Sequence, residues 1–64
     1  MTRYTVRLTG GIRSCWFAEW LDRDDTIPGV NYIYRHAARF DRRADAEAVA
    51  AQVPWWWLPV VEED

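Results

Sequence analysis

Lysine is absent from the chain: all eight cations among its 64 residues are arginine. The single cysteine, Cys15, excludes an internal disulfide framework, and the single histidine, His36, leaves no Cys/His set for a structural zinc site. No apolar run approaches the roughly 18 residues of a membrane-spanning helix, and no signal-peptide pattern is present, so an intracellular protein with no membrane association is expected. Glycine and proline, three of each, are too scarce for a disordered tail when ten aromatics and 50% hydrophobic residues are there to be buried. A chain this short has room for one domain, taken as 1–64, and none for a nucleotide-binding α/β unit beside a substrate domain.

Patterns that would carry enzyme chemistry are missing too. There is no Ser/His/Asp spacing, no glycine-rich phosphate loop and no metal-ligand set, and Gly10-Gly11 alone reads as a hairpin turn. Carboxylates assigned to loop and tail are expected to be wet and to keep near-ordinary pKa values, which would suit them poorly to general acid catalysis. Neither enzymatic activity nor a cofactor nor a metal is expected. Cys15, beside Trp16 and Phe17, reads as a small buried hydrophobe rather than a nucleophile.

What the chain does hold is alternation. Tyr4, Val6 and Leu8 alternate with Arg3, Thr5 and Arg7, the period of a strand with one buried and one wet face. Gly10-Gly11 supplies positive-φ freedom for a reversal, so Ser14 to Leu21, where Trp16/Trp20 and Phe17/Leu21 would also suit a helix at i, i+4, is expected to return as an antiparallel strand. Asp22-Arg23-Asp24-Asp25 reads as loop, continuing through the turn signal Pro28-Gly29. Asn31 to Phe40 reads as a third strand, with Tyr32, Tyr34, His36, Ala38 and Phe40 on one side. Asp41 is placed to cap a helix whose contact stripe is Ala46, Val49, Ala50 and Val53. Pro54 stops that helix, Trp55 to Val61 makes a last strand, and Glu62-Glu63-Asp64 is expected to fray.

The expected fold is therefore α+β: an antiparallel sheet of three to four strands with one helix on one face, in the order β-β-β-α-β. A single helix covers one face only. Trp16, Ala18 and Trp20 oppose Cys15, Phe17 and Leu21, and Trp55 and Trp57 oppose Trp56 and Leu58, so large apolar side chains are expected on the uncovered face as an association surface. A homodimer through this aromatic face is one reading of that surface.

Charge is uneven. Residues 1 to 18 carry +3, residues 19 to 25 carry −3, residues 26 to 53 carry +1 and residues 54 to 64 carry −3, for a net charge of −2. Glu19, Asp22, Asp24 and Asp25 form one acidic cluster and Glu62, Glu63 and Asp64 a second. These carboxylates either keep the protein soluble or imitate nucleic-acid phosphates and occupy a basic groove on a partner. Trp56 is the tryptophan assigned to such an interface, where tryptophan is enriched among energetic hot spots. Arg35, Arg39, Arg42 and Arg43 form the alternative site, a patch for a small nucleic-acid-binding regulator. An acidic chain binds nucleic acid poorly, so ion pairing with neighbouring carboxylates is the preferred role for these arginines.

The stretch from Ala38-Arg39-Phe40-Asp41 into Ala46-Glu47-Ala48-Val49, followed by a strand and an acidic end, resembles many very small bacteriophage and mobile-element proteins. In size, acidity and single-domain character the whole chain is similar to inhibitors of type I CRISPR interference. The resemblance implies a protein of the bacterial host cytoplasm that blocks a Cas effector complex stoichiometrically, commonly by covering a DNA-binding surface; DNA mimicry enters only through the carboxylates described above. It carries over no site residue.

Overall fold

The structure, a computed structural model, describes residues 2–64. Its elements are β1 (Tyr4–Leu8), β2 (Cys15–Trp20), β3 (Pro28–Asn31), a 3₁₀ turn (Tyr34–His36), α1 (Arg43–Gln52), a second 3₁₀ turn (Trp55–Trp57) and β4 (Pro59–Glu63). The strands form one antiparallel sheet in the order β3-β2-β1-β4. This is the α+β architecture expected from the sequence, with the last strand closing onto the first. No helix among the described residues is long and apolar enough to cross a membrane.

The core lies between the sheet and α1. Val6 and Leu8 of β1, Cys15 and Phe17 of β2, and Ala46 with Val53 at the end of α1 form it, flanked by Val49, Ala50 and Val61. Alanine at position 46, fully buried, keeps the helix close to the strands. The helix ends where anticipated, with the Val53 N–H on the Val49 carbonyl at 3.0 Å and Pro54 following. Its start differs: the N-cap is Arg42, with no side-chain cap bond. Asp41 sits one residue too early to cap and instead pairs with Arg3 at 3.6 Å.

β2 is irregular in a way that sorts its tryptophans. Phe17 pairs with Val30 but Glu19 pairs with the adjacent Gly29, so Ala18 is the extra residue of a bulge. The bulge reverses the alternation beyond it. Trp20, expected on the same face as Trp16, turns to the core side and meets Phe17 edge-on at 4.9 Å between ring centroids.

The third strand lies earlier and is shorter than expected. Pro28-Gly29 is not a turn but the start of β3, where an edge strand tolerates a missing N–H. The strand stops at Asn31 because its side-chain oxygen accepts the Ile33 N–H at 2.8 Å, bending the chain away from the sheet. Tyr34, Arg35 and His36 then form a 3₁₀ turn instead of continuing a strand. Residues 38–40 return between the diverging ends of β1 and β2. The Ala38 N–H reaches the Phe17 carbonyl at 3.0 Å, and Phe40 exchanges bonds of 2.9 Å with Tyr4.

The second face is consequently not left bare. Tyr34 meets Trp16 edge-on at 5.3 Å, and the Arg39 guanidinium lies 4.8 Å from the Tyr34 ring centre. Thr5, assigned by alternation to a wet face, is 0% exposed. Trp16 is not left bare on this face because the chain after β3 folds back over it, and the covering segment in turn exposes Tyr32, Ile33 and Tyr34.

Trp55–Trp57 also departs from strand. Pro54 holds φ at −52° before it, and Leu58 after it adopts a left-handed conformation at φ 48°, ψ 62°, which costs a residue with a Cβ about 1–2 kcal/mol. Compensation comes from the β1–β2 loop: the Gly10 N–H donates to the Trp57 carbonyl at 2.8 Å, and the Thr9 hydroxyl to the Leu58 carbonyl at 2.9 Å. Gly10 is required here by proximity. A Cβ on it would lie 2.0 Å from the Trp56 carbonyl oxygen, whereas no glycine in the structure has positive φ, so the conformational role expected of the Gly10-Gly11 pair is not its role.

Candidate interaction surface

The β2–β3 turn carries the first acidic cluster, and one of its carboxylates builds the turn. Asp22 Oδ1 accepts the N–H groups of Thr26 and Ile27, each at 2.9 Å, and Oδ2 accepts the Thr26 hydroxyl. The Leu21 N–H closes the loop onto the Ile27 carbonyl at 2.8 Å. Asp25 takes the left-handed conformation that the reversal needs, at φ 56°, which aspartate tolerates better than most residues. Glu19, Asp24 and Asp25 are left exposed around this frame.

The Thr26 side-chain bond, with the Ile27 and Thr26 amides, holds the Asp22 carboxyl below the ordinary value of 3.8. A lowered folded-state value means a stabilising contribution that is complete above the unfolded pKa and lost as pH falls through the folded one. Asp22→Asn is therefore expected to flatten the fall of stability below about pH 4. Thermal melts of this variant and the wild-type chain at pH 7 and pH 3 check this.

The second cluster is not the free tail expected of it. Glu62 and Glu63 pair with Thr5 and Tyr4 in β4, and the Asp64 N–H reaches the Arg3 carbonyl at 2.7 Å. Glu62 accepts Arg7 at 2.9 Å. The Asp64 carboxylate accepts Arg39 Nε at 3.2 Å and the Tyr34 hydroxyl. Only Glu63 remains exposed and unpaired in this segment among the described residues. The two acidic segments lie at one end of the sheet but on opposite sides of it, separated by on the order of 14 Å of strand spacing.

Of the arginines offered as an alternative nucleic-acid site, Arg39 is an internal brace. Its Nη1 donates to the carbonyls of Tyr34, Arg35 and Ala37 at 3.1, 2.9 and 2.8 Å. Arg42 pairs with Asp45 at 3.2 Å and Arg43 with Glu47 at 3.7 Å. Arg35 is exposed in the 3₁₀ turn and does not share a strand face with Arg39, as the sequence suggested. Ion pairing, the preferred role at the outset, describes three of these four.

The end of the sheet opposite the β2–β3 turn is apolar. Ile12 is 106% exposed, Trp55 81%, Trp56 54% and Leu58 53%. Trp56 stacks on Trp57 with ring centroids 4.8 Å apart, while Trp57 packs against the core. Trp56 is thus presented outward, although far from the acidic turn with which it was grouped. This apolar end was missed because it is assembled from a loop and a 3₁₀ turn, and strand alternation says nothing of either.

Cys15 is 2% exposed, and burial pushes its thiol pKa up, consistent with a packing role. No group of three or more His, Cys, Asp or Glu side chains that could hold a metal ion, and no pocket, forms among the described residues. The chain matches no family model, no curated protein and no solved structure.

Proposed function

We propose that this is a non-enzymatic interaction protein that binds a basic surface of a macromolecular partner through its β2–β3 turn. One observation carries the reading: the distribution of ion pairs. Five arginines pair with Asp41, Glu62, Asp64, Asp45 and Glu47, whereas Glu19 near the end of β2 and Asp24 and Asp25 on the turn that Asp22 holds in one shape are exposed and have no ion-pair partner among the described residues. Carboxylates on a fixed turn lose little conformational entropy on meeting cations, which is the property a phosphate mimic needs. The resemblance noted above makes the DNA-binding face of a type I CRISPR effector complex the first partner to try. Because Arg39, Arg42 and Arg43 are engaged within the molecule, direct nucleic-acid binding is the weaker reading.

The test is removal of this charge. The triple variant Glu19→Arg, Asp24→Arg, Asp25→Asn, the last because asparagine also tolerates the left-handed φ of position 25, is expected to bind the effector at least about 100-fold more weakly, about 2.7 kcal/mol, with its thermal stability retained. Wild-type binding should weaken with salt, and Glu63→Arg should leave affinity within about threefold. Affinity unchanged in the triple variant would remove the proposal.

A further inference from the structure

β4 is an edge of the sheet, with β1 on its inner side and no strand on its outer side. The phase of its hydrogen bonds follows from those at its two ends. The Thr9 N–H reaches the Leu58 carbonyl at 3.4 Å, and the Asp64 N–H reaches the Arg3 carbonyl at 2.7 Å. Between them the paired residues alternate. Val60 and Glu62 therefore direct their backbone groups to β1, while Pro59, Val61 and Glu63 direct theirs outward, Pro59 with a carbonyl only.

We propose that this edge pairs with the same edge of a second copy of the chain, antiparallel about a two-fold axis at Val61. In that register Val61 exchanges both of its backbone bonds with Val61 of the second copy, and each Glu63 N–H donates to a Pro59 carbonyl. The missing N–H of Pro59 then leaves only a Glu63 carbonyl, at the rim, without a partner. Charge selects the same register. Sliding the strands one way sets Glu62 against Glu62, a directly opposed like-charge pair. Sliding them the other way retains only the bonds from Val61 to the Pro59 carbonyls. At Val61 each Glu62 stands opposite Val60, whose side chain is 40% exposed and becomes covered.

The helix permits this approach. α1 lies over β1 and β4, so strands about 4.8 Å apart would set the two helices about 10 Å apart, near the usual helix packing distance. An edge of five residues falls short of the about 800 Å² per partner of a standard interface, so dissociation in the micromolar range is expected. The acidic turn lies on the β3 side of the sheet and stays free.

Sedimentation equilibrium between about 1 µM and about 1 mM tests the proposal across that range. The wild-type chain should pass from monomer to dimer. Val60→Lys places a cation opposite Glu62 and should keep or tighten the dimer, while Val60→Glu places carboxylate opposite carboxylate and should weaken it about tenfold. Glu63→Pro removes an N–H that the β1 ladder does not use and should also weaken association, with the thermal melt of dilute protein preserved. A monomer at every concentration overturns the proposal, as does equal loss of association in the Lys and Glu variants at position 60.

Discussion

Gly10→Ala is expected to destabilise the protein by about 3 kcal/mol or more, a fall in Tm of roughly 12 °C or beyond for a domain of this size. The added methyl would lie 2.0 Å from the Trp56 carbonyl oxygen and 2.9 Å from the Trp57 carbonyl carbon. Backbone has no rotamer with which to yield. Relief requires separating the β1–β2 loop from the 3₁₀ turn, which breaks the 2.8 Å bond from the Gly10 N–H to the Trp57 carbonyl and loosens the approach to β4. Gly11→Ala is the control. Its nearest neighbour, the Arg13 carbonyl oxygen, is at 3.6 Å, and restricting the unfolded chain should leave stability unchanged or up to about 1 kcal/mol higher. Equal losses in the two variants would show that the loop needs glycine for flexibility rather than for this contact.

Arg39→Ala is expected to cost about 2–4 kcal/mol in urea denaturation, far more than the about 1 kcal/mol of an ordinary surface ion pair. Arg39 is not ordinary in that sense. Its side chain is 20% exposed, one nitrogen joins two carbonyls of the 3₁₀ turn and that of Ala37 just after it, and the same guanidinium reaches Asp64 and lies over Tyr34. Removing it leaves carbonyls and a carboxylate turned toward a space that nothing fills. Arg39→Lys should recover less than half of the loss, because an ammonium cannot bond the carbonyls and the carboxylate from one planar group. Full rescue by lysine would mean that charge alone matters there. Asp64→Ala should couple to Arg39→Ala by about 1 kcal/mol in a double-mutant cycle.

These two sites mark where local pattern stopped being informative. β1, α1 and the end of the helix were legible because each follows a single period: Tyr4, Val6 and Leu8 at two, and Ala46, Val49, Ala50 and Val53 at the helical spacing, closed by Pro54. The segment from Asn31 to Phe40 alternates just as convincingly, yet only its first residue belongs to a strand. A side-chain acceptor at Asn31 competes with the ladder, and Arg39 supplies the carbonyls of the 3₁₀ turn with a donor that no strand would have provided. Alternation cannot register such a competitor.

The bulge at Ala18 is similar. It is a matter of pairing between strands, and it moves Trp20 from one face of the sheet to the other without any mark in the residues of β2 itself. Charge at the end of a run usually frays, and nothing near Asp64 in the sequence signals otherwise, since its partners Arg39 and Tyr34 lie 25 and 30 residues away. Of the acidic residues singled out, Glu19, Asp24 and Asp25 keep the exposure that an interface needs. Asp22 builds the turn, and Glu62 and Asp64 hold the sheet together. What separates these roles is the position of arginines and amides in space, which composition and charge counting do not contain.

Free negative charge gathered around the β2–β3 turn should engage cations there. Backbone amide chemical shifts recorded by ¹⁵N NMR during titration with an arginine-rich peptide are the decisive measurement. Salt-sensitive shifts confined to residues 19–27, and lost in the triple variant at Glu19, Asp24 and Asp25, are expected. Shifts centred instead on β4, or on the apolar end around Trp55, Trp56 and Ile12, would contradict this.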